Sequence, residues 1–350
     1  MRTNRLLATL LLALTAGACS PFYVIRAGYE EAKILARREP IEELVADSTT
    51  PPATRHKLQL VLEARAFAED SLGLEAGDSY TTFSKLDSDT LALVVSAAYK
   101  DRFEPYTWWF PIVGHVPYKG FFSEESARKE MAKLEEKGLD TDLRPTAAFS
   151  TLGWFNDPLV SPLLRYDSVS LAGTVVHELT HNTIYVPGRA MFNESFAEFV
   201  GARGAIAFFC SRYEPSEREC RVAQAAWHDE LVFGAFLDSL VTRLDSLYSS
   251  NLSYQEKLQR REVVFEQAKE EFAERVQPQL QVRSYAGFAE TPLNNATLIS
   301  RRLYYHRLDL FERVFQESGG HLRLALNRIL AAVRANEKDP YDAVERLVNR

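Results

Sequence analysis

Cysteine is scarce, positive charge is in deficit, and long apolar runs are missing. The 350 residues hold three cysteines, at positions 19, 210 and 220. Spaced so widely, they match no zinc ribbon or finger, whose cysteines come in close pairs. Lysine and arginine total 41 against 48 acidic residues, a net charge of −7. Phosphate binding wants a basic face, so this balance argues against nucleic acid as a partner. The apolar run near the N-terminus, Leu6 to Thr15, is too short for a comfortable membrane span. No repeat of fixed period stands out, and no low-complexity linker divides the chain. The 46% hydrophobic and 25% charged content is that of an ordinary globular protein, long enough for one large or two modest domains.

The N-terminus reads as an address. Met1-Arg2-Thr3-Asn4-Arg5 is positive, the apolar run follows, and Ala16-Gly17-Ala18-Cys19 has the form of a lipobox, with Ala16 where leucine is usual. Cys19 is then the lipidated first residue of the mature chain, and residues 1–18 are a signal peptide. Ordinary cleavage near Ala18 and an uncleaved anchor are the alternatives. Ser20 after the cysteine favours the outer over the inner membrane, so the expected location is the bacterial cell envelope, lipid-anchored and facing the periplasm. In that oxidising compartment Cys210 and Cys220 either close a disulfide or stay as two thiols.

The chemistry concentrates in Thr174-Val175-Val176-His177-Glu178-Leu179-Thr180-His181-Asn182. Positions i and i+4 share one face of an α-helix, so His177 and His181 can both reach a single ion. Glu178 lies about 100° round the helix from His177, close enough to hold a water on that ion. No charge other than Glu178 falls between Ser168 and Arg189, as suits a buried helix. Alone, this short pattern also arises by chance.

The next stretch narrows the reading. After a break at Pro187-Gly188 comes Phe192-Asn193-Glu194-Ser195-Phe196-Ala197-Glu198-Phe199. A catalytic zinc takes three protein ligands and leaves the fourth position to water. Glu194 is the candidate third ligand. Glu198, four residues on, shares its helix face and can accept a hydrogen bond from the outer nitrogen of a ligand histidine. Asn193 is grouped with Glu198 as an outer support. The competing reading, two glutamates merely facing solvent, sits badly with a helix otherwise apolar.

Elsewhere the periodicity predicts helices over 21–45, interrupted at Pro40, and from Ala53 to about Gly73, then a strand over 89–95. Trp108 to Gly114 and Val116 to Phe122 read as an aromatic hairpin, sheet core rather than a membrane-dipping patch. His115 in its turn is read as structural. Glu124 to Gly138 is an amphipathic helix with a glycine cap. Thr146 to Phe155 is a weak strand, either an edge that binds substrate by strand addition or an ordinary inner strand. Helices are expected at 168–183 and 191–209, and helical runs at 225–249, 254–275, 296–317 and 320–336. The mature chain, 19–350, is read as one unit: helices and sheet over 19–167, the site helices over 168–210, and a helical part over 225–350.

With these residues in hand, the sequence resembles the bacterial putative zinc aminopeptidase family of lipoproteins. The matching pieces are Ala36 to Ile41, Ser150 to Leu159, His177 to Gly201 and Pro292-Leu293-Asn294-Asn295-Ala296. The resemblance implies an α+β, zincin-like peptidase of the gluzincin sort. Its expected parts are a small mixed or antiparallel sheet, an active-site helix and a mostly helical C-terminal part. It implies one Zn²⁺ on His177, His181 and Glu194, with Glu178 as the base that activates a water. The gap between His181 and Glu194 is shorter than in thermolysin or the large aminopeptidases. In gluzincins a Tyr or His from the C-terminal part steadies the oxyanion. Tyr304, Tyr305 and His306 are candidates, and Tyr185 is another. The large zinc aminopeptidases hold the substrate's amine with Gly-x-Met-Glu-Asn, which this chain lacks. An envelope endopeptidase therefore stands beside the aminopeptidase reading, as does a non-catalytic zinc-binding lipoprotein. Peptides are the expected partners.

Overall fold

A computed structural model describes residues 21–110, 114–146, 156–212, 214 and 217–349. The expected signal peptide, Cys19 and nearly all of the weak strand expected at Thr146–Phe155 lie outside these residues. The architecture is α+β, with helices dominant and sheets small.

Helix α1 (Pro21–Ala36) ends where Arg38–Pro40 forms strand β1, and α2 (Ile41–Ala46) follows at once. The proline that interrupts the expected helix is thus an edge-strand residue, where a missing N–H does little harm. Helix α3 (Pro52–Phe67) runs into a π-turn at Ala68–Leu72, closed by Gly73 at φ +77°. Strand β2 (Thr82–Ser84) pairs antiparallel with β1.

Strand β3 (Ala92–Ala98) is the middle of the main sheet. The aromatic segment divides between two sheets. β4 (Trp108–Phe110) and β5 (Gly114–Val116) make a two-stranded hairpin, whereas β6 (Tyr118–Phe121) leaves it and pairs antiparallel with β3. Helix α4 (Glu124–Glu136) is capped by Ser123 and stopped by Gly138 at φ +80°. Strand β7 (Asp140–Thr146) then closes on the other side of β3, Val94 facing Arg144.

Side chains alternate across a strand, so this sheet has two distinct faces. Val95, Ala97 and Phe121 pack with Ala127 and Leu134 of α4. The opposite face carries Val94, Tyr118, Gly120, Arg144 and Thr146, and it looks into a cleft.

Strand β8 (Leu159–Val160) pairs parallel with β2 and leads through a 3₁₀ turn into α5 (Ser168–Thr183). Asp167 caps α5 by accepting from the Ser170 N–H at 3.0 Å and the Ser170 hydroxyl at 2.7 Å. Helices α6 (Ala190–Arg212), α7 (Arg218–Tyr248) and α8 (Tyr254–Glu271) follow. A short α9 (Gly287–Glu290) precedes α10 (Asn295–Tyr305), α11 (Leu308–Glu317), α12 (Leu322–Ala335) and α13 (Pro340–Val348). The continuous helix expected over 296–317 is broken at Arg307, which adopts a left-handed φ of +54°. Cys210 and Cys220 form a disulfide that ties the end of α6 to the start of α7. Among the described residues no helix is long and apolar enough to cross a membrane.

Helix α6 is buried on two sides, which explains its nearly all-round apolar sequence. Phe192, Phe196 and Phe199, one helical face, pack their rings on Phe311 of α11. The other side lies on α5. There Gly201 lets the backbones approach: a Cβ on it would meet the Gly173 carbonyl oxygen at 2.7 Å and the His177 Cβ at 3.1 Å.

Candidate metal centre

The crossing of α5 and α6 assembles the site. His177 and His181 lie one turn apart on α5, rings 5.1 Å apart and both buried. Glu194, in the first turns of α6, brings Oε2 to 3.5 Å from His177 Nε2 and 3.7 Å from His181 Nε2. Ligand atoms of these three residues all lie within 4.8 Å of one another, the one such His/Cys/Asp/Glu group found among the described residues.

These separations suit a cation better than hydrogen bonds. Both exceed the usual N–H···O range. Bonds of about 2.0–2.2 Å in tetrahedral geometry separate ligand atoms by roughly 3.4 Å. The other side of the His177 ring is already used, since Nδ1 stands 3.2 Å from Glu198 Oε2. With that N–H donated to Glu198, the Nε2 lone pair faces Glu194 and seeks a positive partner. The donor set, two imidazoles and a carboxylate, is one that zinc accepts.

Charge follows the same logic. Burial disfavours the ionised Glu194 carboxyl, but the imidazoles of His177 and His181 outweigh it and hold its pKa below the ordinary carboxylate value. Glu178 moves the other way: burial lifts it, while His177 and His181 oppose the rise.

All four residues line one cleft of about 1020 Å³, between the sheet face and the helices. Its wall follows one face of α5 through Ser170, Gly173, His177 and His181, and continues past the helix end to Tyr185. The match to the "Putative aminopeptidase" family spans residues 22–342, nearly the whole chain. The chain belongs to the putative aminopeptidase family. No curated protein and no solved structure shows significant similarity to it.

This member of the putative aminopeptidase family keeps several expected residues at the cleft and sends others elsewhere. Tyr185, Tyr304 and Tyr305 line it. The Tyr304 ring is 6.2 Å from the His177 ring, and its hydroxyl accepts from Arg144 Nη2 at 3.4 Å. His306 does not line the cleft: the chain leaves the helix at this residue, with ψ at 126°, and its Nδ1 is 2.9 Å from Asp238 Oδ1. Asn193 holds neither ligand. It accepts from the Val186 N–H and donates to the Val186 carbonyl, each at 2.9 Å. That pair of bonds clamps the turn between α5 and α6 and so sets the angle at which Glu194 arrives.

Two polar residues at the site have no signal in the local sequence. The Tyr118 hydroxyl donates to Glu194 Oε1 at 3.2 Å, fixing the carboxylate from the sheet side. Arg144 stands on the same sheet face, its Nε buried without a partner among the described residues. The alternation of Tyr118 with Gly120 and the strand pairing to β3 are the only hints, and pairing is a tertiary fact.

The family piece Pro292 to Ala296 has a structural use. Asn294 caps α10 through the Thr297 N–H at 2.9 Å, and its amide donates to the Thr141 carbonyl at 3.0 Å. Asn295 donates to the Tyr99 carbonyl at 2.8 Å, and its N–H reaches Asp140, which also pairs with Arg261 at 2.7 Å. α10 is thereby pinned to the sheet, and with it Tyr304.

Proposed function

We propose that the protein is a zinc-dependent aminopeptidase. The observation that carries this reading is the approach of Glu194 Oε2 to within 3.7 Å of both histidine Nε2 atoms, in a cleft that Glu178 also lines. His177, His181 and Glu194 would hold the ion, giving a zincin-like centre of the gluzincin sort. When bound, zinc polarises the scissile carbonyl and eases deprotonation of a water. Glu178 takes the proton of the attacking water and delivers it to the leaving amine. Its buried setting suits a base that must also act as an acid. Tyr304 donates to the oxygen on which charge develops. Arg144 occupies its oxygen as donor, which leaves the hydroxyl proton free to point elsewhere. Tyr118 and Glu198 hold Glu194 and His177 in place.

The lipobox at Ala16-Gly17-Ala18-Cys19 supports attachment to the envelope through Cys19, periplasm-facing, with peptides as substrates. A panel of aminoacyl reporters and blocked, internally quenched peptides tests the activity, each with and without chelator. Chelator-sensitive release from free N-termini is the expected result. Cleavage of blocked peptides alone would make the protein an endopeptidase. No cleavage of any substrate by zinc-loaded protein would reject enzymatic function and favour a binding scaffold.

A further inference from the structure

One acid at the cleft is used by neither the metal centre nor the fold. Glu230 lies on α7, one face of which presents Ala223, Ala226 and Glu230 to the cleft at intervals of three and four residues. Its side chain is 4% exposed. One oxygen, Oε1, is 3.5 Å from Arg283 Nη2, a loose ion pair. The other, Oε2, is buried with no hydrogen-bond partner among the described residues.

Such an atom is costly in either state. Ionised, it leaves a desolvated lone pair unmet; protonated, it carries a donor with no acceptor. Arg283 meets one oxygen at a distance and His177 acts from farther off, but neither reaches Oε2. Glu198 and Glu230 are two carboxylates, Glu198 taking the His177 Nδ1 side, and Arg283 is the cation that Glu230 faces. Arg283 is itself shared: its Nη1 donates to the Ser170 hydroxyl at 3.3 Å. Its loop is tied down by Asp229, which accepts the N–H groups of Gln281, Val282 and Arg283 at 2.8 Å each. These bonds fix the backbone from which the Arg283 side chain reaches Glu230 Oε1.

Gly173, Gly201, Ala202 and Ala205 line the same cleft as Glu230, and so do Tyr285 and Tyr305, which carry hydroxyl groups. A buried carboxylate with one oxygen unmet, in the wall of a cleft that tyrosine hydroxyls also line, is the chemistry that receives an ammonium group.

We propose that Glu230 is the cation-accepting subsite of this cleft. It takes a positive group of the bound peptide, either the N-terminal ammonium or the side chain of lysine or arginine. In the first case it does the task for which this chain has no Gly-x-Met-Glu-Asn motif. The inference rests on the peptidase reading for its ligand class, but not for its test.

Calorimetry on the zinc-loaded protein uses three ligands with no bond to cut by the proposed reaction. Leucinol carries the α-ammonium alone, N-acetyl-lysinol the side-chain ammonium alone, and N-acetyl-leucinol neither. At least one cationic ligand is expected to bind 10-fold or more tightly than N-acetyl-leucinol, and which one does so names the source. Glu230→Gln should erase that preference, change N-acetyl-leucinol binding less than 2-fold, and leave zinc content unaltered. Glu230→Asp, keeping the charge, should retain part of it. Equal binding of all three ligands by the wild type overturns the proposal even if Glu230→Gln fails to fold. So does a preference that survives in Glu230→Gln. If aminoacyl reporters are not hydrolysed while the leucinol preference holds, the peptidase reading falls and the subsite stands.

Discussion

Glu198 Oε2 lies 3.2 Å from His177 Nδ1, on the side of the ring away from Glu194. The carboxylate fixes the ring's tautomer and turns Nε2 toward the ligand cluster. Groups of this kind tune metal affinity by about 10–100-fold. Glu198→Gln should weaken zinc binding by that range in a chelator-competition titration while the fold is kept. Unchanged affinity would show that the contact does not orient the ligand.

Glu178 sits beside the ligands without being one of them. Glu178→Gln keeps shape and removes the base, so kcat should fall about 10²–10⁴-fold. Zinc content, measured by atomic absorption, should not change. Hydrolysis at the wild-type rate would remove Glu178 from the mechanism.

Tyr304 is assigned the developing oxyanion. Loss of one such donor costs about 10²–10³ in kcat. Tyr304→Phe should show that loss with KM little altered, because the bond strengthens only as charge develops. A pure KM effect would mean that Tyr304 binds substrate instead.

The α5–α6 crossing depends on the missing side chain at Gly201. A Cβ there would stand 2.7 Å from the Gly173 carbonyl oxygen, a backbone atom that cannot swing aside. Gly201→Ala should lower stability by about 1–3 kcal/mol, read as a shifted urea midpoint. It should also weaken zinc binding, since the same contact positions His177 against Glu194. Wild-type values for both would contradict the packing described.

The bridge between Cys210 and Cys220 closes a loop between residues ten apart in sequence. Chain-entropy arguments assign a loop of that size about 2–3 kcal/mol. Replacing both cysteines by alanine should cost about that much in chemical denaturation. Activity of the folded variant should be unaffected, because neither residue lines the cleft.

Much of this centre is written locally. Helix periodicity sets the span of α5 at 168–183, and spacing alone puts His177 and His181 on one face and Glu194 with Glu198 on another. Such facts need no knowledge of neighbouring elements, because i and i+4 meet in any helix. Which faces come together is a different matter. Tyr118 and Arg144 reach the site through the pairing of β6 and β7 with β3, a register no local pattern encodes. His306, next in sequence to Tyr305, falls where the helix ends and turns instead to Asp238 of α7. Glu230 looks like any surface glutamate in the sequence. Only burial beside Arg283, with one oxygen unmet, distinguishes it, and burial depends on the packing of distant segments.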